Sequence, residues 1–107
     1  AGKRDVPGEP PERTALRELE EEVGFTTTDL VPLARFFNSA GFCDEHSHVF
    51  LATDLEPVPH DRQGPEEVHM SVERLALDDI APAIADGRIE DAKTVIGLLA
   101  TLRHLGR

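Results

Sequence analysis

Glu18, Glu21 and Glu22 lie in the run Arg17-Glu18-Leu19-Glu20-Glu21-Glu22-Val23-Gly24-Phe25. On a helix, intervals of three and four residues stack side chains on one face, so this spacing sets three carboxylates side by side. Each like-charged pair costs roughly 0.2–0.5 kcal/mol of helix stability. A hard divalent cation would relieve that repulsion, because Mg²⁺ takes oxygen ligands and links carboxylates to phosphates. The plainer reading is a solvated acidic face, which is what most charge runs are. For the three glutamates alone the plainer reading is favoured.

The residues upstream reverse that preference. Gly2 and Glu9 precede the run, and seven residues separate Glu9 from Arg17. Arg17-Glu18, Leu19, Glu21-Glu22, Gly24 and Phe25 then follow in order. The pattern strongly resembles the Nudix box, Gly-x5-Glu-x7-Arg-Glu-U-x-Glu-Glu-x-Gly-U, with U aliphatic or aromatic. There is one departure: six residues, not five, separate Gly2 from Glu9. The extra residue falls in Asp5-Val6-Pro7-Gly8, a loop that takes an insertion at small entropic cost. The helical spacing is untouched.

Two later stretches resemble the ADP-ribose pyrophosphatase branch of that family. One runs from Asn38-Ser39-Ala40-Gly41-Phe42-Cys43-Asp44-Glu45 into His46-Ser47-His48-Val49-Phe50-Leu51-Ala52. The other is Gly87-Arg88-Ile89-Glu90-Asp91-Ala92-Lys93-Thr94-Val95-Ile96-Gly97-Leu98-Leu99. Branch members usually carry proline where this chain has Ala40.

The resemblance implies an α/β Nudix fold, an α/β/α sandwich with a mixed sheet, over residues 1–107. It also implies that the strands ahead of the box are missing from the chain. The implied reaction is Mg²⁺-dependent hydrolysis, with Mn²⁺ as a substitute, of ADP-ribose or a related nucleoside diphosphate sugar to AMP and a sugar phosphate. Glu18 and Glu22 would be the principal metal ligands, joined by Glu21 and the backbone carbonyl of Ala1. The branch takes its general base from a mobile loop, which points to Glu66 or Glu67, with Glu21 in reserve. Gly2, Glu9 and Gly24 would shape the box. Arg17 lies about 100° round the helix from Glu18 and is expected to pair with Glu9, holding the loop against the helix. An ordinary surface ion pair there would be worth ~0–1 kcal/mol. The branch also implies a homodimer built through an amino-terminal region, which supplies part of the base-binding site. Two other readings stay open. Ala40 keeps alive a pyrophosphohydrolase that clears damaged nucleoside triphosphates. A non-catalytic Nudix-fold sensor of nucleotide sugars is the third, and the full set of glutamates argues against it.

The bulk properties limit the alternatives. The 107 residues make one domain at most. A net charge of −10 and a pI near 4.8 make a poor general binder of nucleic acid, whose affinity rests on basic side chains. Phosphates can still bind if cations first neutralise the acidic site. Cys43 is the only cysteine, so no internal disulfide forms and a cytoplasmic protein is expected. No apolar run is long enough to span a membrane. His46 and His48 share a strand face, but no third metal ligand stands at a convincing spacing. Cys43 as a nucleophile would need a partner base and a lowered pKa. Gly-Lys-Ser/Thr is absent, so there is no P-loop. Trp and Tyr are also absent, and the five phenylalanines are read mostly as core.

The elements that must position these residues follow from periodicity. Pro10 and Pro11 suit a helix entrance, Glu12 to Val23 a helix, and Gly24 its stop. Ala15, Leu16, Leu19 and Val23 fall on the arc beside the glutamates. Strands are expected over Leu30 to Phe37 and His46 to Thr53, and at Val68, Met70 and Val72. A polar loop is expected over Pro57 to Glu67. Leu77 to Ala85 reads as a short helix. Ala92 to Leu105 reads as a longer one that buries Val95, Ile96, Leu98, Leu99 and Leu102.

Overall fold

The computed structural model describes residues 2, 4, 6–59 and 71–107. Helix α1 runs over Pro11–Val23, and strands follow at β1 (Phe25–Thr26), β2 (Asp29–Phe37), β3 (His46–Thr53) and β4 (Glu56–Pro57). A 3₁₀ turn at Leu77–Asp79 leads into α2 (Ile80–Ala85), and α3 spans Ala92–His104. The described residues form two compact units.

The first unit takes in residues up to Leu30 and the stretch Ala52–Glu73. Pro11 sits in the first turn of α1, where its missing N–H is not needed. Pro10, in an extended conformation, caps the entrance without a side-chain bond. Glu12 in the same turn suits the positive end of the helix dipole. Gly24 stops the helix in the left-handed region, with φ of 80°, and its N–H donates to the carbonyls of Leu19 and Glu20. Its own carbonyl accepts from Val58 N–H at 3.0 Å. Directly beyond it β1 pairs antiparallel with β4, Phe25 opposite Pro57 and Thr26 opposite Glu56. The end of the carboxylate helix is thereby tied to a strand pair. Thr27, 6% exposed, closes this unit: its hydroxyl donates to the Thr53 carbonyl and accepts the Asp29 N–H. The Thr53 hydroxyl in turn donates to Asp29 Oδ2 at 2.5 Å.

The second unit comprises Val31–Leu51 and Arg74–Arg107. Strands β2 and β3 pair with each other. Phe37 at the end of β2 stacks on His46 at the start of β3, with ring centroids 4.1 Å apart. Their loop is held by backbone bonds from Asn38 to Glu45 and from Phe42 and Cys43 to Ser39, each 2.9 Å. Asn38 also donates from Nδ2 to Glu45 Oε1, and its Oδ1 accepts from the Ser47 hydroxyl. The buried apolar side chains among the described residues are Ile80 and Ala83, both on α2. Asp91 caps α3, accepting from the Thr94 N–H and hydroxyl at 2.9 Å each.

Several expectations need correction. Leu99 is 47% exposed; Val95, Ile96, Leu98 and Leu102 are half-buried. The covered stripe of α3 therefore stops short of Leu99. Phe42, in the β2–β3 loop, is 94% exposed, and Phe37, the last residue of β2, is 52% exposed. Residues 71–76 have no regular secondary structure, so Val72 is not in a strand; Val68 and Met70 lie outside the described residues. The loop expected from Pro57 begins with strand pairing at that residue. The short helix is a 3₁₀ turn followed by α-helix, with Pro82 accepted in the first α-helical turn. Among the described residues no helix is long and apolar enough to cross a membrane.

Candidate active site

The site is built on the first half of the chain, where a loop meets α1. Glu9 ends the loop. Its N–H donates to the Val6 carbonyl at 3.1 Å, and its own carbonyl accepts from Arg4 Nη2 at 2.8 Å. Its side chain, 8% exposed, turns back onto the helix. There a single oxygen, Oε1, accepts from the Thr14 hydroxyl at 2.7 Å and from Arg17 Nη2 at 3.0 Å. Those two donors hold the Glu9 carboxyl below the usual carboxylate range, Arg17 more than Thr14. Glu9 in turn raises the Arg17 pKa further, as do the charges of Glu18 and Glu21.

Arg17 spans from this clamp to the acidic face. Its Nη1 lies 3.3 Å from Glu18 Oε1 and 3.8 Å from Glu21 Oε2. Both the expected ion pair with Glu9 and this second reach come from one rigid, planar guanidinium. Its Nε is buried and has no hydrogen-bond partner among the described residues.

On the acidic face Glu18 is more enclosed than Glu21, 18% exposed against 48%. Burial raises its pKa above the ordinary value, and the charges of Glu22 and Glu21 raise it further. Gly2 lies against this carboxyl. A Cβ on Gly2 would overlap the Glu18 side chain from Cγ to Oε1, so any larger residue there would displace that carboxylate. The chemistry available is that of a crowded oxygen-donor face, partly neutralised by one arginine. Such a donor set suits a hard divalent cation. The described residues alone include no three His, Cys, Asp or Glu side chains converging on one point. An open hollow of about 340 Å³ borders the same helix, lined by Glu20, Glu21, Val58 and Pro59. It offers no aromatic surface.

Ala1, Glu66 and Glu67 lie outside the described residues, as do His60 and His69. His46 packs on Phe37, Cys43 is exposed, and Ala40 is exposed in the β2–β3 loop. The spacing of the box assigns no role to Thr14. Its signal was available: a polar residue one turn before Arg17, on the same helical face.

The sequence model described as the NUDIX domain matches residues 1–96. The chain is 41% identical over 98 residues to an ADP-ribose pyrophosphatase of Bacillus subtilis (strain 168), covering 92% of this chain and 52% of that protein. It is 37% identical over 100 residues to an ADP-ribose pyrophosphatase of Mycobacterium tuberculosis, covering 94% of this chain and 48% of that protein. The chain thus spans about half the length of the curated relatives it matches. A crystal structure described as an ADP compounds hydrolase superposes with a TM-score of 0.80 at 28% identity, over 95% of this chain and 56% of that one.

Proposed function

The chain belongs to the NUDIX domain family, and from that premise we propose that its protein hydrolyses the pyrophosphate of ADP-ribose, or of a related nucleoside diphosphate sugar, to AMP and a sugar phosphate. The observation that carries this reading is the face of α1 on which Glu18 and Glu21 meet the Glu9–Arg17 clamp. Similarity to two ADP-ribose pyrophosphatases supports the substrate class.

Glu18, Glu21 and Glu22, with the carbonyl of Ala1, would hold a divalent cation, Mg²⁺ or Mn²⁺. The fit rests on the hard oxygen donors and on the raised pKa of Glu18, whose crowded carboxylate is short of positive charge. A cation bound there supplies charge neutralisation and a more acidic water. The chain's own work is positioning and proton handling. Arg17 keeps Glu18 and Glu21 from splaying apart, and Glu9 keeps Arg17 on the helix. Glu66 or Glu67 takes the proton of the attacking water as its oxygen adds to phosphorus and the bridging P–O bond breaks. Glu21 would serve as base if neither loop glutamate does.

Ala40 favours a second reading, pyrophosphohydrolysis of nucleoside triphosphates, because the residue expected in the ADP-ribose branch is proline. The experiment that decides is turnover by the full-length protein of a panel of nucleoside diphosphate sugars and triphosphates, with products identified. AMP and a sugar phosphate from ADP-ribose support the first reading. A nucleoside monophosphate and pyrophosphate, from triphosphates only, support the second.

A further inference from the structure

Thr14 is 4% exposed and polar. A hydroxyl removed from water must find an acceptor. The usual acceptor for a helical threonine is the carbonyl four residues back, here Pro10, but that oxygen is 3.4 Å away. Glu9 Oε1 is at 2.7 Å and carries charge, so it is the stronger partner. The same oxygen accepts from Arg17 Nη2 at 3.0 Å. Thr14 and Arg17 lie one turn apart on one helical face and share a single carboxylate oxygen between them.

Among the described residues Arg17 is held through its terminal nitrogens. Its Nε has no hydrogen-bond partner among the described residues. One Nη lies on Glu9; the other stands 3.3 Å from Glu18 and 3.8 Å from Glu21. A guanidinium is planar and rigid, so shifting one Nη shifts the other. Arg17 Nη1 already donates to Glu18 Oε1; should Glu9 swing away, Arg17 would tighten on Glu18 and Glu21 and compete more strongly with any cation for their oxygens.

Building on the metal-site reading above, we infer that the Thr14 hydroxyl is a positioning group for the acidic face. It fixes Glu9, Glu9 restrains Arg17, and Arg17 sets how Glu18 and Glu21 meet a divalent cation. The motif spacing gives Thr14 no such role.

The test is calorimetric titration of the metal-free, full-length protein with Mn²⁺, using wild type, Thr14→Val, Thr14→Ser and Glu18→Gln. Valine is close to threonine in shape and helix propensity, so Thr14→Val isolates the hydroxyl. We expect Thr14→Val to weaken Mn²⁺ binding about tenfold, the lower end of what groups behind metal ligands contribute. Thr14→Ser should bind as wild type. Wild-type affinity in Thr14→Val overturns the inference, as does equal weakening in Thr14→Ser. The Glu18→Gln protein separates the two levels. If it binds Mn²⁺ as tightly as wild type, the metal face itself is wrong and Thr14 falls with it. If it binds weakly while Thr14→Val does not, the metal face stands and only the Thr14 inference is lost. Should Thr14→Val fail to fold, Glu9→Gln takes its place: it removes the charge that ties Thr14 to Arg17 and must show the same weakening. Unchanged affinity in Glu9→Gln would sink the inference.

Discussion

At Glu18, burial and function pull in opposite directions. Its carboxyl is crowded by Gly2, half-answered by Arg17, and raised in pKa by burial and by Glu22 and Glu21. Ionising it therefore costs stability in the metal-free chain. Glu18→Gln removes that cost, so its thermal stability should equal or slightly exceed wild type. Its kcat should fall at least ~10²-fold, a loss of roughly 3 kcal/mol of transition-state stabilisation. Glu22→Gln should lose activity to a similar degree. Steady-state kinetics at saturating Mg²⁺, paired with thermal melts, reads both effects; a variant retaining most of its activity removes that glutamate from the mechanism. Glu9 has the opposite sign. Its folded pKa is lowered, chiefly by Arg17, so the clamp stabilises the fold above the ordinary carboxylate pKa. That contribution is lost as pH falls through the lowered folded value. The melting difference between wild type and Glu9→Gln should thus be largest near neutral pH and shrink below about pH 4.5. A gap that stays constant into acid would mean the Glu9 charge does not support the fold.

Among the elements, α1 must both present carboxylates and stop at a defined point. Gly24 provides the stop, and its left-handed φ of 80° is what an L side chain resists. Gly24→Ala should destabilise the protein by about 1–2 kcal/mol, the usual penalty for a Cβ in that region. Urea unfolding should show a lower midpoint at unchanged slope; an unchanged midpoint would show that the helix ends elsewhere in solution. The long elements were legible in the sequence because each carries several periods of pattern. Helix α1 was expected over Glu12 to Val23 and spans Pro11–Val23, and β3 was expected and found at His46–Thr53. Strands β1 and β4, two residues each, are too short for alternation to register. Thr14 is a different case: its place one turn before Arg17 is visible in the sequence, but its partner is not. Its bond to Glu9 depends on the path of the loop, which spacing along a helix does not encode. Leu99 was misread because hydrophobicity reports what can be buried, not what is.

For the molecule as a whole, family membership and the reaction proposed from it rest on different grounds. The NUDIX domain match covers residues 1–96, and the acidic helix lies inside it. The proposed substrate rests on similarity to ADP-ribose pyrophosphatases, and Ala40 in the β2–β3 loop is the residue that departs from their branch. Both enzymatic readings share one claim: that the carboxylate face of α1 hydrolyses a phosphoric anhydride with a divalent cation. Phosphorus NMR of ADP-ribose incubated with the full-length protein tests the ADP-ribose form of that claim most directly. With Mg²⁺ present, the two coupled pyrophosphate resonances should give way to two phosphomonoester resonances, those of AMP and a sugar phosphate. Chelating the metal, or substituting Glu18→Gln, should leave the pyrophosphate signals in place. Pyrophosphate resonances that persist with Mg²⁺, or that disappear as fast after chelation, would contradict the account.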